Sequence, residues 1–209
     1  MIRRIVFFFV FGTLLAAFSA PTMAAGPKSL GQFGYWSAYQ MTEGNASACY
    51  MTITAKPPVK KGEKKTKRGD IVLMITQRPS EGALDVVSYA AGAKFKPASD
   101  VSVQIGGKKF DMFTQDDTAW SRDSATDRAI ASALRTGQSA TLTGTLASGA
   151  ALADVVNLKG AGDAYYAIGK ACGLDVAKPK AAVQKPAQTT PKVTQKSTKT
   201  PPKTVKKTH

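Results

Sequence analysis

Histidine is all but missing from this sequence: the single one, His209, is the last of 209 residues. With none inside a foldable region, Ser-His-Asp and Cys-His catalytic arrangements are excluded, and so are zinc sites built on imidazole. No glycine pattern of a phosphate loop or a dinucleotide-binding turn appears. Cysteine is scarce too. Cys49 stands in "NASACYM" and Cys172 in "GKACGL", and neither belongs to a CxxC pair of the reactive kind. Past the N-terminus, no apolar run is long enough to cross a bilayer. Acidic residues number 14 against 29 basic ones, for a net charge of +15.

What is present begins with Arg3 and Arg4, the apolar "IVFFFVFGTLLAAF" and the small-residue "PTMAAG". Together they read as a cleavable secretory signal over residues 1–24, cut after Ala24. The mature chain is then expected in the bacterial periplasm or at the outer surface. In that oxidising setting an even pair of cysteines reads as one disulfide, Cys49 to Cys172. Closing so long a loop stabilises a fold by about 4–5 kcal/mol in the chain-entropy picture.

The positive charge is concentrated in two places. Residues 174–209 hold nine Lys and one Asp, and residues 56–68 hold seven basic residues and Glu63. The rest of residues 25–173 is close to neutral. The tail is rich in Lys, Pro, Thr and Ala and has no aromatic, so it is expected to stay disordered or extended. The loop residues Lys60, Lys61, Lys64, Lys65, Lys67 and Arg68, with Lys203, Lys206 and Lys207 of the tail, are the candidate polyanion contacts. An exported protein meets lipopolysaccharide, wall polymer and anionic lipid head groups before nucleic acid, and such lysines bind polyanions without reading sequence. Arg68-Gly69-Asp70 runs straight into "IVLMITQ", so it reads as the lip of a hairpin rather than an adhesive loop tip.

Residues 25–173 are enough for one domain with a real core. Short β-prone runs recur near 32–40, 46–55, 70–78, 83–91, 100–106, 108–115, 138–147 and 152–160, separated by Gly, Pro and Asp. Gly106-Gly107 is a hairpin turn signal. In the first run Phe33, Tyr35 and Tyr39 would share one face and Trp36 the other. Two helices interrupt the strands. "SATDRAIASALRTG" has Ser124 as N-cap and Gly137 as stop, and "GDAYYAIGKACG" places Tyr165, Ile168 and Cys172 on one face. The expected fold is mainly β, a β-sandwich or barrel-like antiparallel sheet with two short helices and a disordered basic tail.

For catalysis only carboxylates remain. Asp111, Asp116, Asp117, Asp123 and Asp127 cluster in sequence beside Trp120, the inventory a glycan hydrolase would need. Turns and helix starts produce the same inventory, and the spacing is not that of an EF-hand. The turn-and-cap reading is the one adopted, with no cofactor, metal or enzyme activity expected.

Taken together, "FGYWSAYQ", "CYM", "RGDIVLMITQRPSEG", "IGGKKFDMFTQDDTAWSRDSATDRAIASALRTG", "TLTGTLASG" with "VVNLKG", and the closing "IGKACG" carry a family likeness. In that order they resemble the invasion-associated locus B family of exported α-proteobacterial proteins. The resemblance covers about residues 30–173 and leaves out the tail. It implies a periplasmic or surface-associated protein, linked in pathogens to host-cell invasion, and brings no catalytic motif. A non-enzymatic envelope interaction protein is therefore the expected function, its partners being anionic envelope components and a host or envelope protein, with a carboxylate-dependent glycan hydrolase using the Asp cluster at 111–127 as the alternative.

Overall fold

The structure is a computed structural model that describes residues 26–59, 61 and 68–179. Residues 1–25, Lys60, Lys64, Lys65 and Lys67 of the basic loop, and Lys203, Lys206 and Lys207 of the tail lie outside the described residues. The signal-segment expectation, and the tail expectation from residue 180 onward, therefore fall outside them as well.

The β-prone runs become strands β1 (Lys28–Phe33), β2 (Trp36–Glu43), β3 (Ala46–Ala55), β4 (Ile71–Arg78) and β5 (Ala83–Ala90). They continue as β6 (Asp100–Ile105), β7 (Lys108–Gln115), β8 (Thr118–Ser121), β9 (Ser139–Thr145) and β10 (Ala151–Asn157). Helix α1 (Ser124–Thr136) lies between β8 and β9, and α2 (Ala161–Ala171) follows β10. Every pairing is antiparallel, in one sheet of order β1-β2-β3-β4-β5-β8-β7-β6-β9-β10.

This single sheet is coiled. Tyr89 on β5 and Asp154 on β10 stand five places apart in the strand order, yet they share a hydrogen bond in the interior. The two flanks must therefore curl round to face each other, as the sandwich or barrel expectation requires. Between them Trp36, Met51, Leu73 and Ile75 from one flank meet Val103, Met112, Leu142 and Val156 from the other in one buried cluster. The alternation in β10, with Leu152, Asp154 and Val156 buried and their neighbours exposed, is the period-two pattern of a strand with one wet face.

The first strand expected from the sequence is corrected to a hairpin. Phe33 pairs directly with Trp36 across the two-residue turn Gly34-Tyr35, and Gly34 takes φ +59°. Two-residue hairpin turns need positive φ, which glycine adopts without strain. The reversal breaks the count of alternating faces: Tyr35 sits at the turn, 57% exposed, while Trp36 is fully buried. Tyr39 instead stacks on Tyr50 of β3 at 5.1 Å. Gly34 also meets the start of α2, where a methyl group on it would lie 2.4 Å from the Lys159 carbonyl oxygen. Gly106-Gly107 does form the expected β6–β7 turn, both residues at positive φ.

Helix α1 begins one residue earlier than the sequence suggested. Its N-cap is Asp123, which accepts a hydrogen bond from the Thr126 N–H at 2.8 Å, in place of Ser124. At the other end of the domain, Cys172 directly follows α2 and is bridged to Cys49 of β3, with Cα atoms 6.0 Å apart. That bond pins α2 to the first flank. The packed chain continues beyond Gly173, where composition placed the boundary: Val176 and Pro179 lie back against Gly169 and Gly162 of α2.

Candidate functional site

The basic loop springs from the β3–β4 hairpin, and its foot is tied down by charge. Lys56, just past β3, donates to Asp70, just before β4, at 2.5 Å. Arg68 is turned inward. Its guanidinium donates through both terminal nitrogens to the two carboxylate oxygens of Asp154, one at 2.9 Å, and also to the Ala91 carbonyl oxygen at 3.1 Å. Asp154 is fully buried, and Tyr89 donates its hydroxyl to the same carboxylate. Burial, then the adjacent carboxylate, push the Tyr89 phenol well above its ordinary range, so it stays a neutral donor. A charge this deep is tolerable only with such geometry.

The placement of Arg68 corrects its assignment among the outward polyanion contacts, because its charge is engaged inside the domain. Its neighbours follow suit: the Gly69 N–H donates to the Gly92 carbonyl at 2.8 Å, and Asp70 holds Lys56. All three residues of Arg68-Gly69-Asp70 thus belong to the hairpin foot. Among the described loop residues Lys61 is exposed.

The Gly69–Gly92 bond places a second segment beside this foot, residues 91–99, which carries Lys94 and Lys96. That segment is held on both sides. The Phe95 N–H donates to the Asp116 carbonyl at 2.7 Å, the Lys96 N–H to the Thr145 carbonyl at 2.9 Å, and the Ala147 N–H to the Lys94 carbonyl at 2.8 Å. Phe95, only 4% exposed, anchors it to the core. The result is a cleft of about 450 Å³ lined by Lys94, Lys96, Pro97, Thr114, Gln115 and Ala147 among others. Lys94 lies 3.8 Å from Asp116, but both side chains are about three-quarters exposed, and such a pair holds little energy. One end of the sheet thus carries Lys56, Lys94 and Lys96, with Asp70 and Asp116 beside them. The sequence reading missed Lys94 and Lys96, since only the folded contact between Gly69 and Gly92 brings "KFK" to the basic loop.

The five clustered aspartates separate into local duties. Asp111 is exposed on β7, and Asp116, at φ +53°, and Asp117 make the β7–β8 turn. Asp123 caps α1, where the Thr126 hydrogen bonds hold its carboxyl below the usual range. Asp127 is buried and accepts from the Val87 N–H at 2.8 Å and from the Ser121 hydroxyl, tying α1 to β5 and β8. Trp120 lies opposite Phe113 on the neighbouring strand. This arrangement lends no support to the hydrolase alternative. Among the described residues no three His, Cys, Asp or Glu side chains group as metal ligands would.

A second polar knot, also missed from the sequence, braces the helices. Gln77 donates to Asp85 at 2.7 Å, the Asp85 N–H returns a bond to Gln77 at 2.9 Å, and the Tyr165 hydroxyl donates to Asp85 at 2.6 Å. Arg135 of α1 lies over the Tyr165 ring at 4.2 Å. Burial, then Asp85, push the Tyr165 phenol up to about 12. Its partners are all within the domain, so this knot joins α1, α2 and the β4–β5 pair.

A family model described as "Invasion associated locus B (IalB) protein" matches residues 36–169, from the first residue of β2 into α2. The basic loop lies inside the match and the tail outside it. Among solved structures, the crystal structure of invasion associated protein b from Bartonella henselae is similar, at 16% identity and a TM-score of 0.48. The similarity covers 68% of this chain and 94% of that one. No curated protein is significantly similar.

Proposed function

The chain belongs to the invasion associated locus B family, and from that premise we propose that it is an exported, non-enzymatic envelope protein that adheres to polyanions. The contacts are made by the basic end of the sheet and, separately, by the lysines of the basic tail. The chain's partners are lipopolysaccharide, wall polymer or anionic lipid head groups, without nucleic-acid specificity. The family's name associates its members with invasion; for this chain the corresponding act is attachment to an anionic surface.

One observation carries the reading: the 91–99 segment, bearing Lys94 and Lys96, is bonded to the foot of the basic loop through Gly69 and Gly92. Positive charges separated in sequence therefore lie at one place, where Asp70 and Asp116 offset part of them. Flexible ammonium groups around an open cleft suit a fluid array of phosphates better than one shaped ligand, and each contributes roughly 1 kcal/mol near an anionic surface. The bridged cysteines suit an oxidising compartment. The dispersal of the aspartates into turns and caps favours binding over hydrolysis.

The test is sedimentation with vesicles, anionic against neutral, over a range of salt. Because Val176 and Pro179 pack on α2, the tail is removed after Pro179 rather than at Gly173, and residues 60–67 are replaced by a short Gly/Ser linker. Binding to anionic vesicles should be salt-sensitive and fall with each deletion. Binding that is indifferent to salt and to both deletions would overturn the proposal.

A further inference from the structure

A row of directly opposed residues starts at Ser37 of β2 and runs through Thr52, Met74, Ser88 and Trp120 to Phe113 of β7. Their chain neighbours Met51, Leu73, Val87 and Ala119 are buried in the core, so the row itself looks outward. In the next row Tyr39 and Tyr50 stand opposite each other with stacked rings. Both helices pack on the other side of the sheet. Cys172, after α2, bridges to Cys49, the chain neighbour of Tyr50, and Asp127 of α1 takes the hydroxyl of Ser121, the neighbour of Trp120. Among the described residues neither helix covers the outer face. Phe113 is 38% exposed there, and Tyr39, Tyr50 and Trp120 are half-buried.

The make-up of this face selects its occupant. Neither row holds a charged residue over these strands, so a phosphate or a nucleic acid finds no cation on it. A second copy brings the same net charge of +15 and is repelled. An acyl chain or an aliphatic protein surface laid over Ser37, Thr52 and Ser88 would strip water from their hydroxyls and return no hydrogen bond. An uncharged sugar chain meets each condition. The C–H face of a pyranose ring lies flat on an aromatic ring, and its hydroxyls bond to serine and threonine at the edge. Trp120 stands three strand steps from Tyr50, about 15 Å at the usual strand spacing. That is the span of a chain of rings rather than of one sugar.

We propose that the outer face from β2 to β7 is a stacking platform for an extended chain of uncharged pyranose rings, as in a neutral stretch of an envelope glycan. Tyr39 with Tyr50 and Trp120 with Phe113 are its two aromatic contacts, and the hydroxyl residues between them bond the sugar edges. The ligand carries no charge, so the inference stands apart from the polyanion reading.

The test is calorimetric titration of the purified chain with the tetramer of β-1,4-linked N-acetylglucosamine and with that of β-1,4-linked glucose. Both are flat and uncharged, and at least one should bind with an affinity that salt leaves unchanged. Of the two tryptophans Trp36 is fully buried, so a change in tryptophan emission on binding reports Trp120. Tyr39→Ala with Phe113→Ala should weaken binding about tenfold or more. Trp120→Phe, which keeps a ring in place, should retain most of it, and Val155→Ser, on the exposed side of β10, should leave it unchanged. No binding of either tetramer, binding that salt abolishes, or equal affinities for the Tyr39/Phe113 and Val155 variants would overturn the proposal.

Discussion

Arg68 and Asp154 form a two-pronged ion pair that ties the foot of the basic loop to β10, the last strand of the sheet. The carboxylate is fully buried and takes a third bond from Tyr89, while the guanidinium also reaches the Ala91 carbonyl. Only arginine offers a planar fork that can serve two carboxylate oxygens and a carbonyl together. A cation that follows five lysines in sequence is thereby withdrawn from the outward charge and becomes a structural tie.

Asp154→Ala should therefore destabilise the domain by about 3–5 kcal/mol, since it leaves the Arg68 guanidinium largely buried without its partner. Replacing both members, Arg68→Met with Asp154→Leu, should recover much of that loss. Urea unfolding measures both. A loss for Asp154→Ala no larger than that of an ordinary surface change, roughly 0.5 kcal/mol, would show that the pair contributes little.

The Cys49–Cys172 bond closes a loop of 123 residues and holds the end of α2 against β3. Cys49→Ala with Cys172→Ala should lower stability by about 4–5 kcal/mol if chain entropy governs the effect, and by less if the unfolded chain keeps residual structure. Thermal unfolding with and without reductant reads the same quantity. Equal midpoints in the two conditions would contradict a role for the bond in stability.

Asp123 caps α1, and the Thr126 N–H bond, the largest influence, holds its carboxyl below the ordinary range. A carboxyl depressed in the folded state stabilises fully above its unfolded pKa, about 3.9, and loses that contribution as pH falls through the folded value. Asp123→Ala should lower the melting temperature at neutral pH, while Asp123→Asn, which caps without titrating, should retain most of it. The advantage of the native residue over Asn should then shrink in acid. Parallel melting curves for all three proteins across pH would refute the titrating cap.

Local signals made much of the fold legible. Gly106-Gly107, the runs at 46–55 and 108–115, and the Gly137 stop each carry turn or periodicity information within a few residues. Gly34 was equally local, but the aromatic alternation around it matched a continuous strand and hid the turn. β8 has four residues, too few to show a period. The site was less legible for a different reason: Arg68 meets Asp154 across 86 residues. No pattern within a window distinguishes a buried arginine from its exposed lysine neighbours. Lys94 and Lys96 joined the basic end only because Gly69 and Gly92 bond.

That placement separates a site from mere net charge. Lys94 and Lys96 precede β6, whereas Lys108 and Lys109, both exposed, follow the turn at its far end. Lys94→Glu with Lys96→Glu changes the net charge by the same amount as Lys108→Glu with Lys109→Glu. At roughly 1 kcal/mol per lysine near an anionic surface, the first pair should weaken binding to anionic vesicles by an order of magnitude or more. The second pair, held away from the contact, should weaken it far less, because salt confines each charge to within about 10 Å. Vesicle co-sedimentation at physiological salt compares them directly. Equal losses would mean that total charge, and not the basic end of the sheet, governs adhesion.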